Sequence, residues 1–185
     1  AHKLIEECML AANVATAAHL EASELGALFR VHEGPSAERL EALRTFLGEL
    51  ALDLPGGMDP TPLDYQSVLS RLEEREDAQV IQTMLLRSLS QAVYKPDNGG
   101  HFGLNYEAYA HFTSPIRRYP DLLVHRAIKR LATASGSTPR KRSKDETRAL
   151  YPYTMTDLVT AGEHCSMTER RADDATRDVQ QWLKC

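Results

Sequence analysis

The chain has 185 residues and a mass of 20.7 kDa, which suffices for a domain with a buried core. Its 42% hydrophobic and 26% charged residues, with a mean hydropathy of −0.41, exclude a collagen-like, disulfide-scaffold or wholly disordered protein. No apolar run approaches the ~18–20 residues of a membrane span, and no secretory signal opens the sequence. We therefore expect no membrane partner.

The cysteines indicate the redox compartment of the protein, and the charges bear on the kind of partner that it binds. Three widely spaced cysteines, without a pattern of zinc ligands, indicate a reducing compartment such as the cytoplasm and no metal site. Residues 1–100 contain 8 Lys or Arg and 16 Asp or Glu, whereas residues 101–185 contain 14 and 10. Either the second half meets an anionic partner, or both halves carry ordinary solvated helix surfaces.

Four helices are predicted in the first half of the chain from apolar residues at i, i+3 and i+4. Ser36, Thr61 and Asp77 are predicted to cap the last three of them, and Pro62 occupies a first helical position. The predicted ranges are 3–24, 37–51, 62–74 and 78–93.

The second half predicts a short β-hairpin near 92–104, because Pro-Asp-Asn-Gly-Gly is a strong turn signal between two candidate strands. A helix then begins at Tyr119 and ends near Ala134. A basic, mobile loop over 135–148 and a closing long helix over about 156–183 complete a mainly α chain.

The segment between the predicted hairpin and helix is the richest in functional residue types. Six of the twelve aromatic residues lie between 94 and 119, and a pair of arginines, Arg117 and Arg118, follows Ser114-Pro115. Aromatic rings and guanidinium groups together suit single-stranded nucleic acid, although some of the rings are needed for the core. The arginines either hold phosphate or form ion pairs with Asp121 or Glu107.

This segment carries a specific resemblance. The stretch HFGLNYEAYAHFTSPIRRYPDLLVHRAIKRL resembles the ribonuclease II family, in its ribonuclease R branch. Two further stretches agree with it in order, AHKLIEECMLAANVATAAHL with LFRVHEGPS, and HCSMTERRADDATRDVQQWL. The resemblance implies the helical carboxy-terminal part of an RNB-type catalytic domain over residues 1–185.

The family hydrolyses single-stranded RNA processively from the 3′ end, with Mg²⁺, to nucleoside 5′-monophosphates. Clustered carboxylates hold the metal against the scissile phosphate. The family's aspartate cluster lies upstream of the matched region, and its spacing is absent here. The resemblance therefore implies a fragment of an exoribonuclease that is inactive alone, with single-stranded RNA and the missing amino-terminal half of the domain as partners.

Some site residues follow from the matched motifs. Arg117 aligns with the family arginine that contacts phosphate near the cleaved bond, which makes it the catalytic candidate. Arg118 is a second RNA-binding candidate, although neighbouring helical side chains diverge by about 100°. Tyr119 either touches RNA or packs beneath Arg117. The histidines of this segment are expected to form hydrogen bonds within the fold; they are His101, His111 and His125.

Further candidates lie on the first and last helices. Glu6, Glu7 and Asn13 are on the helix that borders the RNA channel in the family, where they either read a base edge or the 2′-OH or, for the two acids, favour the helix dipole. Glu169 either faces the site or pairs with a residue one helical turn away.

Two functions of other classes remain open from the sequence. One is a non-catalytic RNA-binding module that uses the basic second half. The other is a helical protein-interaction module that docks a partner through exposed apolar surface.

Overall fold

The computed structural model describes residues 2–23, 25–73, 75–135, 149 and 151–184. Helices dominate these residues, which confirms the mainly α prediction. A single 3₁₀ turn, Phe102–Leu104, accompanies the regular elements. Those elements are α1 His2–Glu21, β1 Phe29–Val31, α2 Ala37–Glu49, α3 Pro62–Leu69, α4 Ala78–Ser88, β2 Val93–Lys95, α5 Tyr119–Ala134 and α6 Met155–Trp182.

The predicted β-hairpin near 92–104 is wrong. Strand β2 pairs antiparallel with the distant β1, with Arg30 opposite Tyr94, and the stretch after the turn forms the 3₁₀ turn instead. On β2, the backbone N–H of Tyr94 donates to the Ser166 hydroxyl at 2.9 Å. A turn signal reports local geometry alone, and here a long-range pairing and a contact with α6 decide where the strand bonds.

The helix starts agree with the sequence better than the helix ends. Ser36 accepts a hydrogen bond from the backbone N–H of Arg39, and Thr61 forms a capping box with Asp64. Asp77 precedes α4 as predicted, but its side chain does not cap the helix because Arg75 donates to both of its carboxylate oxygens at 2.8 Å.

All four helices of the first half end before their predicted ends, and the two largest differences are in α3 and α4. Helix α3 ends at Leu69 rather than near Glu74, and α4 ends at Ser88 rather than 93. After α3 and after α4, apolar residues continue at a spacing typical of a helix, although the chain has already turned. The predicted basic loop lies, apart from Ser135, outside the described residues.

The chain divides into two compact units, each with its own core. We call the first the basic unit: it comprises the described residues up to Val31, Val93–Asn98 and those from Ala108 onward. Strands β1 and β2 and helices α1, α5 and α6 contribute to it. Its core is centred on Leu20, Leu28, Val31, Ala110, Leu123, Val124, Tyr151 and Leu158.

The acidic unit comprises His32–Ala92 and Gly99–Glu107. It contains α2, α3, α4 and the 3₁₀ turn, and its core consists mainly of leucines from α2 with residues of the next two helices. Fully buried side chains at its centre include Leu47, Val68 and Ile81. None of the helices in the described ranges combines the length and apolar character that a bilayer crossing requires.

Candidate functional site

A cleft of about 510 Å³ in the basic unit brings four predicted site residues together. We call it the arginine cleft. Arg117, Arg118, Tyr119 and Glu169 contribute to its walls, where the start of α5 meets the middle of α6. The remaining lining residues are Tyr94, Pro120, Cys165, Thr168, Ala172 and Asp173.

The two adjacent arginines have different environments. Arg118 donates from Nη2 to Oδ1 of Asp121 at 2.8 Å, and the Asp121 side chain is 0% exposed. Arg117 is exposed, and within the described part of the chain no acceptor engages its guanidinium group. The ion-pair alternative is therefore confirmed for Arg118 with Asp121, whereas Arg117 keeps its donors available.

The backbone before α5 explains this arrangement. The carbonyl of Ser114 accepts the N–H groups of both Arg117 and Arg118, which closes a single turn. Helix α5 then starts at Tyr119 with Pro120 in its first turn, where the missing proline N–H costs no hydrogen bond. The turn thus ends in two arginines, and only the second points back to a buried acid.

Glu169 is held by a partner from a strand and not by a neighbour on its own helix. Nη1 of Arg30 donates to its Oε2 at 2.5 Å, and the same guanidinium lies 4.6 Å from the centre of the Tyr94 ring. The Arg30 side chain is only 14% exposed. The alternative of an i, i+4 partner is therefore wrong, since Arg30 of β1 takes that place.

Tyr94 and Tyr119 differ in burial across the cleft. Burial raises the pKa of Tyr94 to about 12, and its hydroxyl forms a 2.9 Å hydrogen bond with Nδ1 of His111. Tyr119 is 48% exposed, and partial burial together with a hydrogen bond to Tyr153 raises its pKa. Tyr119 thus both packs and presents a ring surface to solvent.

A smaller cleft of about 280 Å³ lies along α1, also in the basic unit. We call it the α1 cleft. Glu6, Asn13 and Arg118 line it, so Arg118 borders both clefts, whereas Glu7 is exposed and lines neither of the two. Its other lining residues are His2, Ile5, Met9, Leu10, Tyr109, His111 and Thr113.

Asn13 has a structural role, because its side chain forms hydrogen bonds within the fold. Its side chain is buried, donates from Nδ2 to the Tyr109 hydroxyl at 2.9 Å and accepts the backbone N–H of Phe112 at 3.0 Å. On the other side of Phe112, His125 forms a 2.9 Å hydrogen bond with its carbonyl and stacks on its ring. His111 and His125 thus form hydrogen bonds within the fold, as predicted.

Sequence reasoning missed two residues of the site. Arg30 lies on a three-residue strand that no periodicity reveals, so nothing in the sequence pairs it with Glu169 or Tyr94. The sequence indicates Asp121 only as an ion-pair partner of the arginines, although its position at the third residue of α5 is a usable signal. Its complete burial depends on the tertiary structure alone.

The acidic side chains near the arginine cleft are few. In the described ranges, no three residues among His, Cys, Asp and Glu converge as a metal-binding group. The acids among the lining residues of the arginine cleft are Glu169 and Asp173, both on α6, and Glu169 is paired with Arg30.

Comparison with known proteins identifies the family. The RNB domain model matches residues 1–134, which is well over half of the chain. The chain belongs to the RNB domain family. This RNB chain is 57% identical over its whole length to ribonuclease R of Vibrio cholerae and 54% identical to that of Escherichia coli. It spans 22% of the length of each of these relatives.

Solved structures agree with this assignment. The RNB chain superposes on ribonuclease R of Mycoplasma genitalium bound to ribose-methylated single-stranded RNA with a TM-score of 0.84 and 26% identity, over 99% of this chain and 28% of that one. Yeast Ssd1, described as a pseudonuclease, has a TM-score of 0.61 at 22% identity over 88% of this chain and 20% of its own. The latter likeness shows the shared fold alone.

Proposed function

We propose that the RNB chain is part of a processive 3′→5′ exoribonuclease that hydrolyses single-stranded RNA to nucleoside 5′-monophosphates. The identity of more than half of all positions with two ribonucleases R, over the whole chain, supports this proposal. The RNA complex of the M. genitalium relative supports RNA as the ligand.

The observation that carries the proposal is the state of Arg117. Of the two arginines in the cleft, it is the exposed one, and its guanidinium has no acceptor within the described residues. A guanidinium stays charged and can hold two phosphate oxygens at once. Its role in the reaction is to stabilise the negative charge that develops on the scissile phosphate.

The surrounding residues then form the RNA-channel wall. Tyr119 offers a half-exposed ring for base stacking, and Arg118 adds positive charge while it stays tied to Asp121. Glu6 is the acid of the α1 cleft that can accept a hydrogen bond from a 2′-OH or a base edge. Asn13 shapes that cleft from within, because both ends of its amide are engaged.

Glu7 and Glu169 contribute less directly to RNA binding. Glu7 contributes to RNA binding only from the exposed face of α1, outside the two clefts. Glu169 lines the arginine cleft while it pairs with Arg30, so it contributes to the shape and charge of the cleft wall.

The proposal places the Mg²⁺ ligands outside this chain, in the amino-terminal half of the catalytic domain. The metal would activate water and stabilise the leaving oxygen when that half is present. The chain alone is then expected to be inactive, with that half and single-stranded RNA as its partners. A cytoplasmic location completes the proposal.

Replacement of Arg117 in the full-length enzyme tests this function. Arg117→Ala should lower kcat by about 10²–10³-fold on a 3′-labelled single-stranded RNA, because one preorganised donor to a developing charge is lost. Arg87→Ala is the matched control, since Arg87 is an exposed arginine of the acidic unit on α4. Full activity of the Arg117→Ala enzyme would show that the assigned role is wrong.

RNA binding by the isolated chain separates a second candidate, a non-catalytic RNA-binding module. The basic unit supports it, because Arg117 and Arg118 lie on one cleft. Fluorescence anisotropy of a single-stranded RNA should show affinity that falls with salt, with a slope set by the number of phosphates contacted. Binding combined with an inactive full-length enzyme would favour the module over the exoribonuclease.

A further inference from the structure

One buried carboxylate holds the turn that presents Arg117. Asp121 is 0% exposed, and its Oδ1 accepts two hydrogen bonds. One comes from the backbone N–H of Ser114 at 2.7 Å and the other from Nη2 of Arg118 at 2.8 Å. A single oxygen atom therefore joins the first and last residues of the turn.

Arg117 lies between these two fixed points. Its N–H and that of Arg118 both donate to the carbonyl of Ser114, at 3.3 and 3.1 Å. The turn over residues 114–118 is thus held to Asp121 by the Ser114 N–H and by the Arg118 guanidinium, and two backbone hydrogen bonds close it from within. The Arg117 backbone is fixed while its guanidinium stays exposed.

Two other helices show that a helix can start without an acid that bonds the preceding turn as Asp121 does. Asp64 in α3 and Asp157 in α6 also occupy the third helical position, and each forms a capping box with the preceding threonine. Asp121 has the same position in α5, where the N-cap residue is Arg118 and no side-chain capping bond forms. Its carboxylate reaches back to the turn instead.

The burial of Asp121 indicates that the position of its carboxylate matters for the site. Its Oδ2 and the Nε of Arg118 are buried without a partner among the described residues. A buried charge with incomplete hydrogen bonding is costly, so stability alone does not account for this arrangement. Catalysis is sensitive to such placement, since an error of about 1 Å in a group can lower the rate about 10²-fold.

We propose that Asp121 is the positioning residue of Arg117: it clamps Ser114 and Arg118 so that the guanidinium between them meets the scissile phosphate. This inference rests on the proposed function of Arg117. Asp121 does not touch the RNA, and its effect on the rate passes through Arg117.

A double-mutant cycle in the full-length enzyme tests the proposal. Asp121→Asn should lower kcat by about 10²-fold with little change in KM, since the long RNA contact is retained. In an Arg117→Ala background the same substitution should lower kcat by less than about 2-fold, because the group that it positions is absent. Asp157→Asn is the matched control, an acid of the same helical position in the same unit, and should leave kcat unchanged.

The outcomes separate this proposal from the proposed function. If Asp121→Asn lowers kcat equally in both backgrounds, or not at all in the wild-type background, Asp121 does not position Arg117. If Arg117→Ala alone keeps full kcat, the proposed function fails first. If thermal unfolding shows that the Asp121→Asn enzyme is not folded, Arg118→Gln replaces it in the double-mutant cycle. This substitution removes the other partner of the Arg118–Asp121 hydrogen bond. Equal losses in both backgrounds would again overturn the positioning role.

Discussion

The basic and acidic units differ in charge and in what they bury. The acidic unit has 5 Lys or Arg against 12 Asp or Glu, whereas the rest of the chain, which belongs to the basic unit, has 17 against 14. Both candidate clefts with arginines lie in the basic unit. The division by compact unit therefore keeps the charge asymmetry that the sequence shows between its halves, with net charges of −7 and +3 against −8 and +4.

The buried polar residues follow the same division. Asn13, Thr16, Asp121 and Ser166 lie in the basic unit, and of the buried polar side chains in the described residues only Ser88 belongs to the acidic unit. The acidic unit is stabilised by leucine packing between helices. The basic unit uses polar contacts to fix an irregular segment, which is what a preorganised site requires.

The largest expected effect is on the acidic unit. Leu47→Ala should lower the free energy of unfolding by about 2–5 kcal/mol, because Leu47 is fully buried and its truncation leaves a cavity. Urea denaturation of the chain measures the loss. Leu86→Ala is the control, since Leu86 is 71% exposed and its truncation should cost less than about 0.5 kcal/mol. Equal losses in the two variants would contradict the described core.

A polar truncation should destabilise the basic unit by a smaller amount. Asn13→Ala removes the partner of both the Tyr109 hydroxyl and the Phe112 N–H, with an expected loss of about 1–3 kcal/mol. Amide hydrogen exchange at Phe112 should also accelerate. Glu7→Gln, an exposed change on the same helix, should alter neither quantity. Unchanged protection at Phe112 in the Asn13→Ala chain would argue against these bonds.

Alkaline pH should weaken the basic unit through Tyr94. Its pKa is raised by burial from 10.0 to about 12, so the folded state holds the phenol proton more tightly than the unfolded state. The stabilisation is complete below pH 10 and is lost between about pH 10 and 12, with a slope of at most about 1.4 kcal/mol per pH unit. Denaturation at stepped pH values should show a shallower decline in Tyr94→Phe. Parallel declines in the two proteins would exclude Tyr94 as the cause.

The smallest effect compares the same motif in the two units. Thr61→Ala in α3 and Thr154→Ala in α6 each remove a capping box, with an expected loss of about 1 kcal/mol. Thr133→Ala is the control, because this threonine lies near the end of α5 and its hydroxyl donates to the carbonyl of Lys129 instead of capping a helix start. Thermal unfolding of the three variants measures the loss of stability. A loss in Thr133→Ala as large as in the other two would show that the capping boxes contribute no more than an ordinary threonine hydroxyl.

Local sequence determined most of the helix starts. Ser36, Thr61 and Pro62 act as predicted because a cap needs only backbone groups a few residues away. Mainly α structure and the long α6 follow from apolar periodicity in the same way. The resemblance names Arg117, Arg118, Tyr119 and Glu169 as site candidates, and these four residues line one cleft.

Tertiary structure decided what depends on distant partners. Two contacts join residues whose separation in sequence carries no local signal: the pairing of β2 with β1 and the Arg30–Glu169 ion pair. The complete burial of Asp121 changes the environment of a residue that a local rule treats as exposed. The sequence could name two arginines as phosphate ligands. Only packing around Asp121 distinguishes the arginine that is tied from the one whose donors remain available, because burial and ion pairing are properties of the folded chain.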